Sequence, residues 1–150
     1  MNLYNNSFIV KNIVRSDDER GSILSIVDNI VSNVSIIQCN SDSIRSNHYH
    51  YEDWHLMYVL EGEIDYFYKG LEIDSEIKYL KVKEGETIYT PPNEIHATYF
   101  PKNTILIVSS KNPRDQITYE KDTVRVDFVN HSNITQLLKK YANERIQKNQ

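Results

Sequence analysis

Residues 47–62 read NHYHYEDWHLMYVLEG and bring three of the chain's five histidines within eight positions. His48 and His50 are two residues apart, and in a β-strand such residues face the same side of the sheet. His55 follows after the polar turn 51–54, so a hairpin would return it beside His50. We therefore expect the three imidazoles to converge on one face of a sheet.

Short β-type segments continue on both sides of this stretch. They are rich in β-branched and aromatic residues, and turn residues such as glycine, proline and asparagine separate them. The expected strands are residues 23–27, 34–39, 55–60, 64–68, 77–82, 87–89, 97–100, 104–108 and 123–129. Because no helical pattern falls between these segments, a sandwich or barrel is favoured over a parallel α/β sheet. The predicted fold class is all-β.

One segment near the C-terminus has helical spacing instead. Ser132 and Asn133 can cap a helix, whose apolar residues recur near helical intervals at Ile134, Leu137, Leu138, Tyr141 and Ile146. A chain of 150 residues suits one domain. We expect residues 1–131 to form a single barrel domain, and residues 132–150 to form a helix and tail that packs on the barrel or on a partner subunit.

Composition excludes several classes of partner. The net charge of −4 argues against a nucleic-acid or anionic-membrane surface, because neither attracts an acidic protein. No apolar run approaches the roughly 20 residues of a membrane span, and the N-terminus lacks a basic stretch followed by an apolar one. We expect a cytoplasmic protein. The single cysteine, Cys39, lies in an apolar stretch, which predicts a buried thiol.

A fourth histidine, His96, follows the turn 91–95 and leads into another expected strand. Three or four imidazoles that converge inside a small barrel suit one divalent transition metal ion, namely Zn, Fe, Mn, Ni or Cu. The candidate ligands are His48, His50, His55 and His96. The alternative is a metal-free pocket in which these histidines act as bases or hydrogen-bond donors.

The spacing of these residues resembles the two cupin motifs. His48-x-His50, four residues, His55, six residues and Gly62 resembles the first motif, in which two histidines, a glutamate and a glycine have this spacing. The second motif is a glycine, a proline turn and a histidine, and it is similar to the segment from Gly85 to His96. The resemblance implies a cupin-type double-stranded β-helix, or jelly-roll barrel, with a short C-terminal helix, and a homodimer.

Three positions depart from the family pattern. His55 stands where the family usually has glutamate, which preserves a ligand but removes a negative charge and leaves the preferred metal open. Asn93 replaces the turn glycine, and asparagine tolerates the left-handed conformation better than other non-glycine residues. Phe100 replaces the usual terminal asparagine.

Two segments, 18–22 (DERGS) and 44–50 (IRSNHYH), resemble a subgroup of small cupins that modify nucleotide-linked keto-sugars. This subgroup includes the sugar 3,4-ketoisomerases, the WxcM-like proteins and the cupin domain of capsular-polysaccharide biosynthesis proteins. Arg45 stands three residues before His48, as an arginine does in the ketoisomerases, and its planar fork suits a substrate diphosphate. Those ketoisomerases tend to lack a ligand at the position of His55 and to work without metal, whereas the capsular-type motif matches more closely.

The resemblance implies an epimerase or ketoisomerase that acts on a nucleotide-linked 4-keto-6-deoxy sugar in surface-polysaccharide biosynthesis. Such an enzyme removes a proton next to a carbonyl, and His48 and His50 are the candidate catalytic residues. If all four histidines bound a metal ion, Tyr66, Tyr89 or a glutamate would have to act as the base. Two alternatives stay open: an iron dioxygenase with three histidine ligands, and a non-catalytic cupin that binds a small ligand.

Overall fold

The computed structural model describes residues 4–142, which form mainly short β-strands. In chain order the elements are β1 (Phe8–Val10), β2 (Ile13–Asp18), β3 (Gly21–Ser25), β4 (Asn33–Cys39), β5 (Ser43–His50), β6 (His55–Glu61), β7 (Glu63–Lys69), β8 (Lys78–Lys83), β9 (Thr87–Thr90), β10 (Ile95–Phe100), β11 (Thr104–Ser110), α1 (Gln116–Asp122), β12 (Thr123–Arg125) and α2 (Ile134–Leu137), followed by a π-helical turn (Leu138–Ala142). The predicted all-β class is confirmed.

Two five-stranded sheets build the barrel. Their strand orders are β1-β9-β6-β11-β4 and β12-β5-β10-β7-β8, while β2 and β3 form a separate two-stranded ribbon. Between β4 and β11 the chain passes repeatedly from one sheet to the other, which is the connectivity of a jelly roll. The predicted cupin-type barrel is confirmed.

The predicted hairpin between His50 and His55 is wrong. β5 and β6 lie in different sheets, and β5 pairs with β10 and β12 whereas β6 pairs with β9 and β11. Residues 51–54 therefore carry the chain across one end of the barrel. This crossing still brings His55 beside His50, because the two strands face each other across the interior.

Alternation along the strands fills most of this interior with apolar side chains. Inward-facing residues include Met57, Val59, Ile64, Tyr66, Val82, Ile88, Phe100, Leu106 and Val108, which are buried together in one cluster. The turn between β6 and β7 depends on Gly62, whose φ is +94°. A Cβ there would lie 2.7 Å from the carbonyl oxygen of Asn103, so the motif glycine permits a close approach of two turns.

The C-terminal segment packs on the outer face of the sheet that contains β7 and β10. Ile134, Leu137 and Tyr141 join Phe67 and Ala97 in a second apolar cluster there. Asn133 occupies the N-cap position of α2, but its side chain makes no capping hydrogen bond. Ile146, which the sequence also assigned to this helix, lies outside the described residues.

Two further expectations concern burial and membranes. The thiol of Cys39 is buried, with 3% of the residue exposed, and burial raises its pKa. Within residues 4–142, none of the helices has the length and apolar character needed to cross a membrane.

Candidate active site

The structure brings the four predicted histidines together at one end of the barrel interior. His48 and His50 project inward from β5, and His96 lies directly opposite His48 on β10. The ring centres of His48 and His50 are 4.6 Å apart, and those of His48 and His96 are 4.7 Å apart. His55 enters from the other sheet, with its ring centre 5.6 Å from that of His50 and 5.3 Å from that of His96.

A backbone irregularity in β5 sets the direction of His48. Ser46 and Asn47 both adopt the left-handed conformation, with φ of 67° and 56°, and the pairing of β5 with β10 shifts register beside them. The side chain of Asn47 donates to the carbonyl of Val129 at 2.8 Å and accepts from the N–H of Val129 at 2.9 Å. These two hydrogen bonds stabilise Asn47 in the left-handed conformation, which non-glycine residues rarely adopt.

Hydrogen bonds fix the tautomers of two of the imidazoles. His96 Nδ1 lies 3.1 Å from the carbonyl oxygen of Glu94, so it must donate there. Thr123 Oγ1 donates to the carbonyl of Tyr119 at 2.6 Å and therefore accepts from His50 Nδ1 at 3.2 Å. Both Nε2 atoms then carry lone pairs, and both are buried without a partner among the described residues.

Burial keeps the whole cluster uncharged. Desolvation, reinforced by neighbouring imidazoles, lowers the pKa of His48 to about 2, and desolvation lowers that of His96 to about 3. For His50 burial is again the largest cause and lowers the pKa to about 4, while the nearby carboxylate of Asp122 opposes the shift. The pKa of His55 falls well below its ordinary value for the same reason. At neutral pH all four side chains are neutral imidazoles, which is the form that binds metals and accepts protons.

The potential ligand atoms fall into two overlapping groups. His48, His50 and His96 offer nitrogens that all lie within 4.8 Å of one another, and so do the ligand atoms of His50, Asp53 and His55. Asp53 is a residue that the sequence analysis placed in a turn. Burial raises the pKa of its carboxyl to about 6, and one of its oxygens accepts from the N–H of Asn112 at 2.8 Å.

A cavity of about 100 Å³ opens beside the histidines. His48 and His55 line it, its apolar wall includes Met57 and Phe100, and two arginines, Arg45 and Arg114, face it together with Tyr119. Arg45 lies in the exposed part of β5 and donates to the carbonyl of Gln38 at 3.3 Å. The predicted arginine therefore stands at the same cavity as the histidines.

Besides Asp53, the sequence analysis missed three residues of the site, namely Arg114, Tyr119 and Asp122. They come from α1 and the loop before it, a region without a strand pattern. The ring of Tyr119 lies 5.7 Å from that of His50, and a carboxylate oxygen of Asp122 lies 3.5 Å from His50 Nδ1. The available signal was Asp115, whose side chain accepts from the N–H of Thr118 at 3.0 Å and caps α1.

Neither of the tyrosines named from the sequence as possible bases lines the cavity, although the ring of Tyr66 stacks on that of His96 with 6.0 Å between the ring centres. The hydroxyl of Tyr66 is buried and bonds to Ser7 and Thr90, each at 2.9 Å. Tyr89 packs on the outer side of its sheet, where its ring centre is 5.4 Å from that of Phe8. Neither lines the cavity, so Tyr119 is the tyrosine placed to meet a ligand.

Comparison with solved structures identifies the class of fold. A ketoisomerase from Thermoanaerobacterium thermosaccharolyticum, crystallised as a mutant with TDP-4-keto-6-deoxyglucose, superposes with a TM-score of 0.65 and 17% identity over 82% of this chain and 89% of that chain. A 3,4-ketoisomerase from Helicobacter canadensis superposes with a TM-score of 0.67 and 13% identity, and the match covers 91% of this chain and 99% of that chain. A dTDP-4-dehydrorhamnose 3,5-epimerase from Sulfolobus tokodaii superposes with a TM-score of 0.67 and 16% identity, and the match covers 89% of this chain and 82% of that chain.

No family model matches the sequence. No curated protein matches it either. The chain is a cupin-type jelly-roll barrel, and the solved structures that share this fold include sugar 3,4-ketoisomerases and 3,5-epimerases. The resemblance inferred from the motifs is therefore confirmed at the level of the fold.

Proposed function

We propose that this protein is an isomerase that acts on a nucleotide-linked 4-keto-6-deoxy sugar, as an epimerase or ketoisomerase in cytoplasmic surface-polysaccharide biosynthesis. The observation that carries the proposal is the cluster of four buried, neutral imidazoles beside a cavity with two arginines. The fold supports it, because a protein of the same fold was crystallised with TDP-4-keto-6-deoxyglucose. Neutral imidazoles accept protons, and arginines hold phosphate and developing negative charge.

His48 and His50 are the proposed catalytic residues. In the reaction a C–H proton next to the carbonyl passes to an imidazole nitrogen, and the electron pair of that bond moves to the carbonyl oxygen as an enolate. His48 lines the cavity and reaches the substrate directly. His50 has the Asp122 carboxylate 3.5 Å behind its Nδ1, which stabilises the imidazolium after proton transfer. Returning the proton at another position or face completes the isomerisation.

The donor set also fits one divalent transition metal ion such as Zn, Ni, Mn or Fe. His50 and His96 each present a buried Nε2 without a partner in the described chain, and their Nδ1 atoms are held by oxygen acceptors, as in protein metal sites. We propose His48, His50 and His96 as ligands with His55 as the fourth. When bound, the metal would supply a Lewis acid for the carbonyl oxygen. If every imidazole ligates, Tyr119 is the remaining proton-exchanging group at the cavity.

Arg45 is the proposed contact for the substrate diphosphate. It lies at the exposed rim of the cavity and lacks a carboxylate partner among the described ion pairs. A nucleotide-linked sugar that enters with its sugar toward the histidines would leave its phosphates near this rim. A planar guanidinium can then make two parallel hydrogen bonds to phosphate oxygens.

We also propose a homodimer that pairs through the outer face of the sheet containing β4, β11 and β6. Val34 and Ile36 on β4 are 58% and 71% exposed, and Leu60 on β6 is 48% exposed. Ile107 of β11 lies between Ile36 and Tyr58 in the register, so these side chains form one continuous apolar patch of the kind that marks interfaces. Light scattering should give twice the chain mass, and Ile36→Glu should lower it toward that of a monomer. A wild-type monomer well above micromolar concentration would contradict the dimer.

The test of the proposed reaction is solvent exchange. Incubation in D₂O with a panel of nucleotide-linked 4-keto-6-deoxy sugars should place deuterium at C3 or C5, detected by NMR, even where equilibrium disfavours net product. Exchange should collapse in His48→Ala and in His50→Ala. Absence of exchange across the panel, with ligand bound and metal supplied, would reject the isomerase and leave a binding protein.

A second candidate is a three-histidine iron dioxygenase. The observation that favours it is the compact group of His48, His50 and His96, because the resemblance to cupins implies that a three-histidine set with open positions can also bind iron for oxygen chemistry. This enzyme would consume oxygen when Fe²⁺ and substrate are added, and it would incorporate no deuterium. Oxygen-electrode traces recorded with the same sugar panel separate the two functions.

A further inference from the structure

A partly buried cation, Arg114, stands beside the histidines without an ion pair among the described residues. Arg114 reaches the cavity from the loop between β11 and α1, and its Nε is buried without a hydrogen-bond partner in the described chain. Its guanidinium lies over the ring of Tyr119, 5.7 Å from the ring centre, which is within the range of a cation–π contact. The Tyr119 ring thus holds the guanidinium over the cavity.

Three other arginines form ion pairs with carboxylates, whereas Arg114 does not within the described part of the chain. Arg15 pairs with Asp28, Arg20 with Asp18 and Arg125 with Glu120, all on the surface. Arg114 has no ion pair among the described residues. The carboxyl of Asp53 lies close enough for this charge to lower its pKa, while burial, the larger cause, raises that pKa to about 6, so Asp53 is mainly ionised at neutral pH but forms no described ion pair with Arg114. The buried Nε is an unused hydrogen-bond donor, so the guanidinium is suited to bind an oxygen acceptor of a ligand in the cavity.

Arg114 also shares a cavity wall with two of the histidines. Because Arg114, His48 and His55 line the same cavity, the guanidinium faces the same end of a ligand as these imidazoles. Arg45, by contrast, is the exposed residue of β5 and lies at the rim of the cavity. The two arginines therefore meet different parts of one substrate.

We propose that Arg114 is a catalytic residue that binds the carbonyl oxygen of the sugar and stabilises the enolate oxygen. This inference rests on the proposed isomerase function. When the C–H electron pair moves to the carbonyl oxygen, that oxygen gains negative charge, and the fixed guanidinium gains attraction without reorienting. The proton goes to the free nitrogen of a histidine, the electron pair ends on the carbonyl oxygen, and the Arg114 charge stabilises the negative charge that this oxygen gains.

The experiment separates rate from binding in two arginine variants. Arg114→Gln should reduce the rate of deuterium incorporation into TDP-4-keto-6-deoxyglucose at saturating substrate by about 10²–10³-fold, the usual effect of removing one oxyanion donor. It should leave the dissociation constant of TDP unchanged. Arg45→Gln should weaken TDP binding more than Arg114→Gln does and lower the saturated rate less. Arg114→Lys keeps the charge and should recover part of the lost rate.

Two controls distinguish the possible failures. Arg20→Gln, at a surface arginine whose side chain is 84% exposed, should behave as wild type, and thermal unfolding must show that both Arg114 variants fold. A folded Arg114→Gln variant with the wild-type saturated rate would overturn this inference and leave the proposed function standing. Weaker TDP binding with an unchanged saturated rate would assign Arg114 to the phosphates and overturn it equally. Wild-type protein that binds TDP but exchanges no sugar would reject the proposed function, and the role of Arg114 with it.

Discussion

The two ends of the barrel interior are equally buried and chemically opposite. At one end Ile64, Val82 and Ile88 pack together with no exposed surface. At the other, His50 and His96 are 1% and 0% exposed, yet their Nε2 atoms have no partner among the described residues. The same two sheets supply both ends, so the strand pairing alone does not explain the difference.

The comparison separates residues that stabilise the fold from residues that await a ligand. Packed apolar side chains contribute transfer free energy and dispersion contacts. A buried nitrogen without a partner loses its hydrogen bonds to water and recovers nothing in the folded state. The histidine end therefore reduces the free energy of unfolding. A substrate or a metal ion that bonds to these nitrogens would raise the free energy of unfolding again.

The largest effect on stability is expected from a substitution at the apolar end of the barrel. Ile64→Ala should lower the free energy of unfolding by about 2–5 kcal/mol, because it removes a fully buried side chain and leaves a cavity. Urea unfolding measures this. Ile73, which is 95% exposed, provides the matched control, since Ile73→Ala should change little. The folded fraction of Ile64→Ala should retain solvent exchange into substrate, and loss of that exchange would show that the two ends are not separable.

The next largest effect is expected from a substitution at the histidine end. His96→Ala should abolish metal binding and substrate exchange, while lowering the free energy of unfolding less than Ile64→Ala does. The lost ring leaves a cavity, and one ordinary hydrogen bond, worth about 1 kcal/mol, is lost, but the removal of an unpaired buried nitrogen offsets part of this cost. Elemental analysis of protein purified without a histidine tag should find one metal equivalent in wild type. Full metal content in the folded variant would exclude His96 as a ligand.

Acid should weaken the metal-free protein through the same cluster. The folded pKa values of the four histidines lie below 6.5, so the unfolded chain binds more protons and stability falls as the pH drops from about 6.5 to about 4. Asp53 and Glu94 act in the opposite sense, because burial raises their pKa to about 6 and about 7. The balance is a net uptake of about two protons on unfolding, each worth about 1.4 kcal/mol per pH unit.

Urea unfolding of chelator-treated protein at several pH values measures that slope. In His96→Ala the slope should decrease by the contribution of one histidine. A free energy of unfolding that stays constant across this pH window would contradict the assignment of neutral, buried imidazoles.

The smallest expected effect sharpens the role of His55. His55→Glu places a carboxylate where most cupins have one, and the folded variant should keep its metal, since glutamate oxygens bind such ions at about 2.0–2.2 Å in the zinc case. His55→Ala is the comparison and should bind metal more weakly. Metal loss in His55→Glu, with the fold intact by circular dichroism, would show that His55 contacts substrate or another ligand residue instead.

Much of the barrel was predictable because its strands carry a local signal. The strands that contain Ile36, Ile64 and Leu106 are apolar, branched and bounded by turn residues, and the structure places them as expected. The i, i+2 spacing of His48 and His50 also fixed their common face. The rest depends on contacts between distant segments. Which sheet receives β6 after residues 51–54 is decided by the whole barrel, and no local pattern records it.

The missed side of the site illustrates the same limit. α1 has seven residues and none of them is buried, so it carries no apolar period that could mark a helix. Arg114 and Tyr119 looked like ordinary surface residues until the fold laid this segment beside the histidines. Their chemistry comes from burial and neighbours, which belong to the tertiary structure.

The departure at Asn93 has a consequence for motion at the site. Asn93 adopts the left-handed conformation at φ 57°, as expected for the residue that replaces the motif glycine, and its N–H donates to the carbonyl of His50 at 2.7 Å. This bond joins the segment before His96 to the strand end that carries His50. The amide proton of Asn93 can exchange with solvent only when these two segments separate. The hydrogen-exchange protection factor of the Asn93 amide would therefore report how often the histidine end opens, whether or not the apolar end stays closed.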